Sequence, residues 1–251
     1  MSRVLFFRSD DAGLSPGTNA AIDAAGVVCP NIGLMAVAPA IEDAAARFRV
    51  REELCLGLHF TLNSEWPEIP WGPRAPRESV AGLVSPDGVF FPNPWRLPEG
   101  VVYDPSEVAR ELRAQLDFLH SLGLCIRYLD SHMGVLASTP ELAALAEDFA
   151  AGEGLVCRDR LPKLQHGPCG PNLGADLERW AGLLDGVREP TVAVFHPMRA
   201  DGVVDRLAPR TADGARPFVA RSAEAALLCS PAFRALLKEK AVVVARMDDD
   251  R

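Results

Sequence analysis

The sequence has no excess of basic residues: 26 lysines and arginines stand against 34 aspartates and glutamates in 251 residues, a formal net charge of −8. Because phosphate binding needs a basic face, this balance argues against a nucleic-acid partner. The chain also has no run of about 18 uncharged apolar residues, the length that a membrane span needs. Its N-terminus reaches Arg8 and two aspartates too early for a secretory signal, so we expect a cytoplasmic protein without a membrane partner.

The sequence also has no closely spaced cysteine pair and no sign of a boundary between domains. The six cysteines include no C-x-x-C pair, which argues against a zinc knuckle and a disulfide framework, and we expect reduced thiols, mostly in the core. No internal repeat or low-complexity linker interrupts the chain, and 48% apolar residues support a sizeable core. We therefore predict a single domain over residues 1–251, a length common among α/β barrels.

Short apolar runs alternate with segments of helical period, the pattern of β/α units around a buried parallel sheet. The predicted strands are Val4–Phe7, Ile32–Val37, Leu54–Leu62, Ile126–Leu129, Leu155–Cys157, Val192–Phe195 and Ala241–Ala245. Helices are expected to begin after Ser15, Asp104 and Thr139, because each of these capping residues precedes a proline suited to the first helical position. Asp104 and Glu107 together have the spacing of a capping box.

Residues 63–105, which we call the excursion, break this rhythm with several prolines, three tryptophans and no sustained period. Long loops in compact domains are usually functional, and the carboxyl ends of barrel strands are where barrel enzymes build their sites. The tryptophans either pack the loop or present aromatic faces to a sugar. We take Asn63, Trp66 and Trp71 as the predicted substrate-binding residues.

Polar strings follow or end four of the predicted strands and carry the candidate catalytic residues. They contain Asp10 with Asp11, His59, Asp130 with His132, and His196. Adjacent carboxylates repel each other unless a cation or a proton separates them, and a metal also favours imidazole ligands. One carboxylate and two imidazoles leave positions open for water and substrate, as in a hydrolytic metal site.

This pattern predicts a division of roles. Asp11, His59 and His132 are the predicted metal ligands, Asp10 the catalytic base that takes a proton from water, and His196 the acid that protonates a leaving group. Asp130, two residues before His132, is expected to fix the tautomer of that ring. Two imidazoles favour Zn²⁺ or another borderline ion over Mg²⁺, which prefers oxygen ligands.

The strings SDDAGLSPGTNAAI, GLHFTLNSEWP with a trailing WGP, LDSHMGVL and FHP occur in this order between Val4 and Pro197. Together they resemble the YdjC-like carbohydrate deacetylases, the ChbG/HpnK group. The resemblance implies a distorted (β/α) barrel of about seven parallel strands, similar to the polysaccharide deacetylases. It also implies a divalent metal, Zn²⁺ or Mg²⁺, and hydrolysis of an N-acetyl group from a small acetylated sugar. In the related polysaccharide deacetylases the first aspartate of the pair is the base and the second binds metal, which corresponds to Asp10 and Asp11.

Two other functions remain open on the sequence. Two histidines and one carboxylate also form the facial triad of non-haem Fe(II) oxygenases, although here they come from three separate predicted strands. A catalytically silent sugar-binding barrel is the other alternative, because many members of the resembled family have two more histidines where this chain has Gly134 and Leu136. The sequence leaves the oligomeric state open, with a homodimer as one option.

Overall fold

The computed structural model describes residues 3–158, 160–207 and 217–249, in which strands and helices alternate along the chain. The strands are β1 (Arg3–Ala12), β2 (Asn31–Leu34), β3 (Cys55–Phe60), β4 (Ile126–Ser131), β5 (Val156–Cys157), β6 (Thr191–Phe195) and β7 (Val242–Val244). The helices are α1 (Pro16–Ala25), α2 (Ile41–Phe48), α3 (Pro105–Ser121), α4 (Pro140–Gly152), α5 (Leu173–Gly186), α6 (Pro217–Cys229) and α7 (Pro231–Glu239). Each predicted strand overlaps an observed one. β1 is longer than predicted, so that Asp10 and Asp11 lie inside the strand rather than after it.

All strand pairs of the sheet are parallel. The order is β5-β4-β3-β2-β1-β6, and β7 pairs with the N-terminal part of β1. The chain after β5 connects the two edges, because Val156 pairs with Tyr128 in β4 while Lys163 forms a bridge with Val192 in β6. The sheet therefore curls into a distorted barrel with helices around it, and the predicted fold class is confirmed.

The predicted helix starts are present with their side-chain caps. Ser15, Asp104 and Thr139 each accept a backbone N–H from the first turn of α1, α3 and α4, respectively. The capping box at α3 differs from the prediction, because the Glu107 carboxylate accepts the backbone N–H of Gly82 in the excursion, at 2.9 Å. None of the helices in the described ranges has the length and apolar character needed to cross a bilayer.

The strand period places a polar layer at the carboxyl end of the barrel interior. Side chains two residues apart point to the same face of a strand. Phe6 and Tyr128 belong to an apolar cluster inside the sheet, and Arg8 and Asp10 follow Phe6 at this spacing in β1, as Asp130 follows Tyr128 in β4. The strand register places His59 in β3 directly opposite Asp130 in β4, so these two inward-pointing side chains are neighbours in the barrel interior.

The excursion is packed against the body of the protein. It contains two short 3₁₀ turns, Arg77–Ser79 and Ala81–Leu83, and Trp66, Trp71 and Phe90 are buried in the same core as α2 and α3. The buried carboxylate of Glu111 in α3 holds it by accepting two backbone N–H groups of the excursion, at 2.9 and 2.8 Å. The excursion is therefore a fixed part of the fold rather than an open flap.

None of the six cysteines, which all lie in the described ranges, forms a disulfide. Cys29, Cys55 and Cys169 are buried, as expected for core thiols, whereas Cys125 is exposed at the start of β4. Cys125 itself directly precedes β4, between the buried side chains of Leu124 and Ile126.

Candidate active site

A local irregularity in β1 brings two neighbouring carboxylates to one site. In a regular strand Asp10 and Asp11 would point to opposite faces. Asp11 instead has a positive φ of 63°, and the register with β2 shifts between Ser9 and Ala12. Asp tolerates this left-handed conformation better than most residues. As a result His59 Nε2 lies 3.8 Å from Asp10 Oδ2 and 3.6 Å from Asp11 Oδ1.

The three predicted metal ligands, Asp11, His59 and His132, meet in a buried cluster. Asp11 Oδ1 lies 3.2 Å from His132 Nδ1 and 3.6 Å from His59 Nε2, and the two ring nitrogens are 3.2 Å apart. β1, β3 and the residue directly after β4 each supply one of these atoms, so segments far apart in the sequence build a single group.

In each histidine of the cluster, the ring nitrogen that faces away from the cluster lies within hydrogen-bond distance of a carboxylate. His59 Nδ1 lies 2.8 Å from Asp130 Oδ2, and His132 Nε2 lies 3.0 Å from Glu65 Oε1. The sequence predicted that Asp130 orients His132. In the structure Asp130 orients His59 instead, because the sheet register places these two residues opposite each other. Carboxylates in this position fix the ring tautomer and leave the remaining nitrogen free to bind a metal.

The surrounding carboxylates strongly favour positive charge at this cluster. Burial alone would lower the pKa of His132, but Glu65 and Asp11 raise this pKa to about 9. Likewise Asp10 and Asp130 overcome burial and hold the pKa of His59 well above its usual value. Burial alone would raise the pKa of Asp11, but Arg221 and His132 keep it well below the usual range. The cluster therefore needs either protons or a cation at its centre.

The donor set fits a divalent transition ion. Asp11 Oδ1 is buried and accepts no well-directed hydrogen bond from the described residues, although it faces both ring nitrogens. Ligand atoms about 2.0–2.1 Å from a tetrahedral ion are about 3.3–3.4 Å apart, close to the separations of 3.2, 3.2 and 3.6 Å in this cluster. Asp10, His59 and Asp130 form a second group of this kind, but the guanidinium of Arg8 already lies between its two carboxylates.

Arg8 is a buried site residue that the sequence analysis did not identify. Its Nε and a terminal nitrogen each donate to one oxygen of Asp10 at 2.7 Å, and the terminal nitrogen also lies 2.9 Å from Asp130 Oδ2. A buried arginine needs such carboxylate partners. The signal was present in the sequence, because Arg8 and Asp10 are two residues apart and so share the inner face of β1.

A cavity of about 390 Å³ opens beside the cluster. The residues that line it include Asp10, His59, His132, His196 and Trp66, with Lys163 and Arg221 among the charged ones. Of the three predicted substrate-binding residues only Trp66 is among its lining residues.

Asn63 and Trp71 have contacts within the protein instead. Both side chains are buried; Asn63 Nδ2 donates to Glu65 Oε2 at 2.9 Å, and Trp71 Nε1 donates to the Asn63 carbonyl at 2.7 Å. They are polar groups of the excursion that find partners inside it, and the sequence does not distinguish this use from contact with a ligand.

Helix α6 contributes two further residues that the sequence analysis missed. Arg221 donates to Asp11 Oδ2 at 2.7 Å, and the Glu224 carboxylate accepts the backbone N–H of His196 at 2.6 Å. Burial and the nearby Arg221 lower the pKa of His196, which favours the neutral ring. Arg221 is 210 positions from Asp11, so the sequence does not indicate this contact. The spacing of three between Arg221 and Glu224 indicates only that both lie on the same side of one helix.

Comparison with known proteins identifies the family. A family model described as YdjC-like protein matches residues 4–239. The chain belongs to the YdjC-like family. The resemblance of the four sequence strings is thereby confirmed, and the match extends through α6, which carries Arg221 and Glu224.

Two solved structures share the fold of this YdjC-like chain. A protein from Enterococcus faecalis V583, described as a presumed cellobiose-phosphate cleavage protein, superposes with a TM-score of 0.82 at 21% identity, over 99% of this chain and 98% of that one. A polysaccharide deacetylase from Bacillus cereus superposes with a TM-score of 0.52 at 13% identity, over 99% and 94% of the two chains. The YdjC-like barrel is thus similar in fold to the polysaccharide deacetylases.

Proposed function

We propose that this YdjC-like protein is a metal-dependent hydrolase that removes the N-acetyl group from an acetylated sugar or a sugar-like amide. The observation that supports this most directly is the meeting of Asp11, His59 and His132 beside a cavity that Asp10 and His196 also line. The family and the fold shared with a polysaccharide deacetylase agree with it. The cavity volume of about 390 Å³ is within the range of small-molecule sites.

The residues divide the work as follows. Asp11, His59 and His132 would hold the divalent cation, for which Zn²⁺ and Mg²⁺ are the candidates. When bound, such a cation supplies Lewis-acid activation of water. Asp10, which Arg8 holds by both oxygens, accepts the proton of the attacking water. His196, whose neutral ring is favoured, must first take up a proton and then delivers it to the departing amine nitrogen. Trp66 offers an apolar wall to the sugar.

The test is acetate release by the purified protein. After treatment with a chelator, the protein is reloaded with Zn²⁺ or Mg²⁺ and incubated with N-acetylglucosamine, its oligomers and other N-acetylated sugars. We expect acetate release that chelation abolishes and one cation restores. Sugar binding without acetate release from any substrate would indicate a silent binding barrel. Oxygen consumption by the Fe²⁺-loaded protein would indicate an oxygenase.

Gly33 in β2 provides a separate test of the placement of Asp10. A Cβ atom at this position would lie 2.9 Å from Asp10 Oδ1 and 3.3 Å from two atoms of His59. Because this contact is too close, we expect Gly33→Ala to displace the Asp10 carboxylate from its position on Arg8. The displacement should lower kcat by about 10- to 100-fold. Gly182→Ala is the matched control, since a Cβ there meets nothing within 4 Å. Equal kcat in the two variants would contradict the proposed position of the base.

A further inference from the structure

The two histidines of the metal cluster are oriented from different parts of the fold. Asp130, which orients His59, lies in β4 opposite His59 and is itself 2.9 Å from Arg8 in β1. Glu65, which orients His132, belongs to the excursion. One predicted ligand is therefore held by the sheet and the other by a loop.

Glu65 is built into its position. It is buried, with 8% of its surface exposed, and its second oxygen accepts Asn63 Nδ2. Its first oxygen, Oε1, lies 3.0 Å from His132 Nε2. An ionised carboxylate on Nε2 fixes the ring and increases the basicity of Nδ1, the atom that faces the cluster.

The excursion also holds the residue after His132. Met133 has a left-handed backbone with φ of 49°, and its carbonyl accepts Trp95 Nε1 at 2.7 Å. Its sulfur atom lies 3.0 Å from Asn63 Nδ2. Movement of the excursion would therefore disturb the His132 backbone as well as its ring.

We propose that Glu65 is a positioning residue that couples the excursion to cation binding, an inference that rests on the proposed metal-dependent function. Trp66, which lines the cavity, directly follows Glu65, so the same contact that orients His132 also places this wall. Coupling is reciprocal: cation binding stabilises the excursion, and displacement of the excursion weakens cation binding. The cavity wall is then held more firmly in the metal-loaded protein.

The experiment compares Glu65→Gln with two other substitutions of the same chemical kind. Glu68→Gln is the matched control, because Glu68 lies in the same excursion with its side chain exposed. Asp130→Asn removes the carboxylate that orients the other histidine. For each protein we measure Zn²⁺ affinity by competition with a chelator. We also measure hydrogen–deuterium exchange of peptides from the excursion, with and without saturating Zn²⁺.

We expect Zn²⁺ to slow exchange in the excursion of the native protein and of Glu68→Gln, with equal affinities. Glu65→Gln should bind Zn²⁺ about 10- to 100-fold more weakly, and saturating Zn²⁺ should no longer slow exchange there. Asp130→Asn should also bind more weakly but keep the slowed exchange. Should Glu65→Gln fail to fold, Glu65→Asp keeps the charge with a shorter reach, and its affinity should be intermediate.

Native affinity in Glu65→Gln or Glu65→Asp, or slowed exchange in Zn²⁺-saturated Glu65→Gln, would overturn the coupling. Failure of the native protein to bind any divalent cation would instead reject the proposed function. The two failures are therefore distinct.

Discussion

Replacing Asp11 by asparagine should abolish cation binding and, with it, acetate release. The amide has nearly the volume of the carboxylate but is neutral and a weaker ligand. It would also leave His59, His132 and Arg221 without the shared negative charge that Asp11 Oδ1 and Oδ2 provide. We expect the metal content to fall from stoichiometric to undetectable and turnover to fall to background. Elemental analysis after dialysis and acetate release measure the two quantities.

Circular dichroism and the Tm of the metal-free variant show whether the loss is local, since a buried charge is being removed. Asp10→Asn is the matched control: it is the same substitution on the adjacent buried residue. Stoichiometric metal in Asp11→Asn would show that Asp11 is not a ligand.

Asp10→Asn should retain the metal and lose turnover. An amide cannot take the proton from water, so we expect kcat to fall by on the order of 10²- to 10⁴-fold, the usual contribution of a general base. Arg8 still finds one acceptor on the asparagine, which keeps the side chain near its place. The measurements are metal content and kcat on a substrate that the native protein cleaves.

The kcat of His196→Ala, which removes the proposed acid, is measured together with that of Asp10→Asn. The acid variant should be least impaired on substrates with a good leaving group, because such a group departs without a proton, whereas Asp10→Asn should be impaired on all of them. Near-native kcat in Asp10→Asn would show that another group accepts the proton.

Most of the barrel could be predicted from the sequence, because buried parallel strands appear as short apolar runs and helix starts carry local caps. Strand periodicity, however, does not show a bulge. The prediction ended β1 at Phe7, while the structure continues it through Asp10 and Asp11, where the positive φ at Asp11 brings both carboxylates to the same side. The identity of the residue gave no signal of this, since aspartate also occurs in ordinary turns.

The residues that hold the candidate ligands were harder to predict than the ligands themselves. His59 and His132 stand at strand ends, where a shared edge predicts proximity. Glu65 comes from a segment without a period, and Arg221 from a helix far along the chain, so their contacts depend on tertiary packing alone. Asp130 was assigned to the histidine nearest in sequence, whereas the sheet register pairs it with His59.

The position of β1 has a consequence for how the protein opens. β1 pairs with β6 and β7 as far as Ser9 and with β2 from Arg8 to Ala12, so most of its amides exchange only when several strands separate. Glu65 and Arg221 reach the site from a loop and from a peripheral helix, which have fewer strand bonds to break. Partial unfolding at the rim would therefore release the two side chains that brace the site while the backbone that carries Asp10 and Asp11 stays in the sheet beside β2.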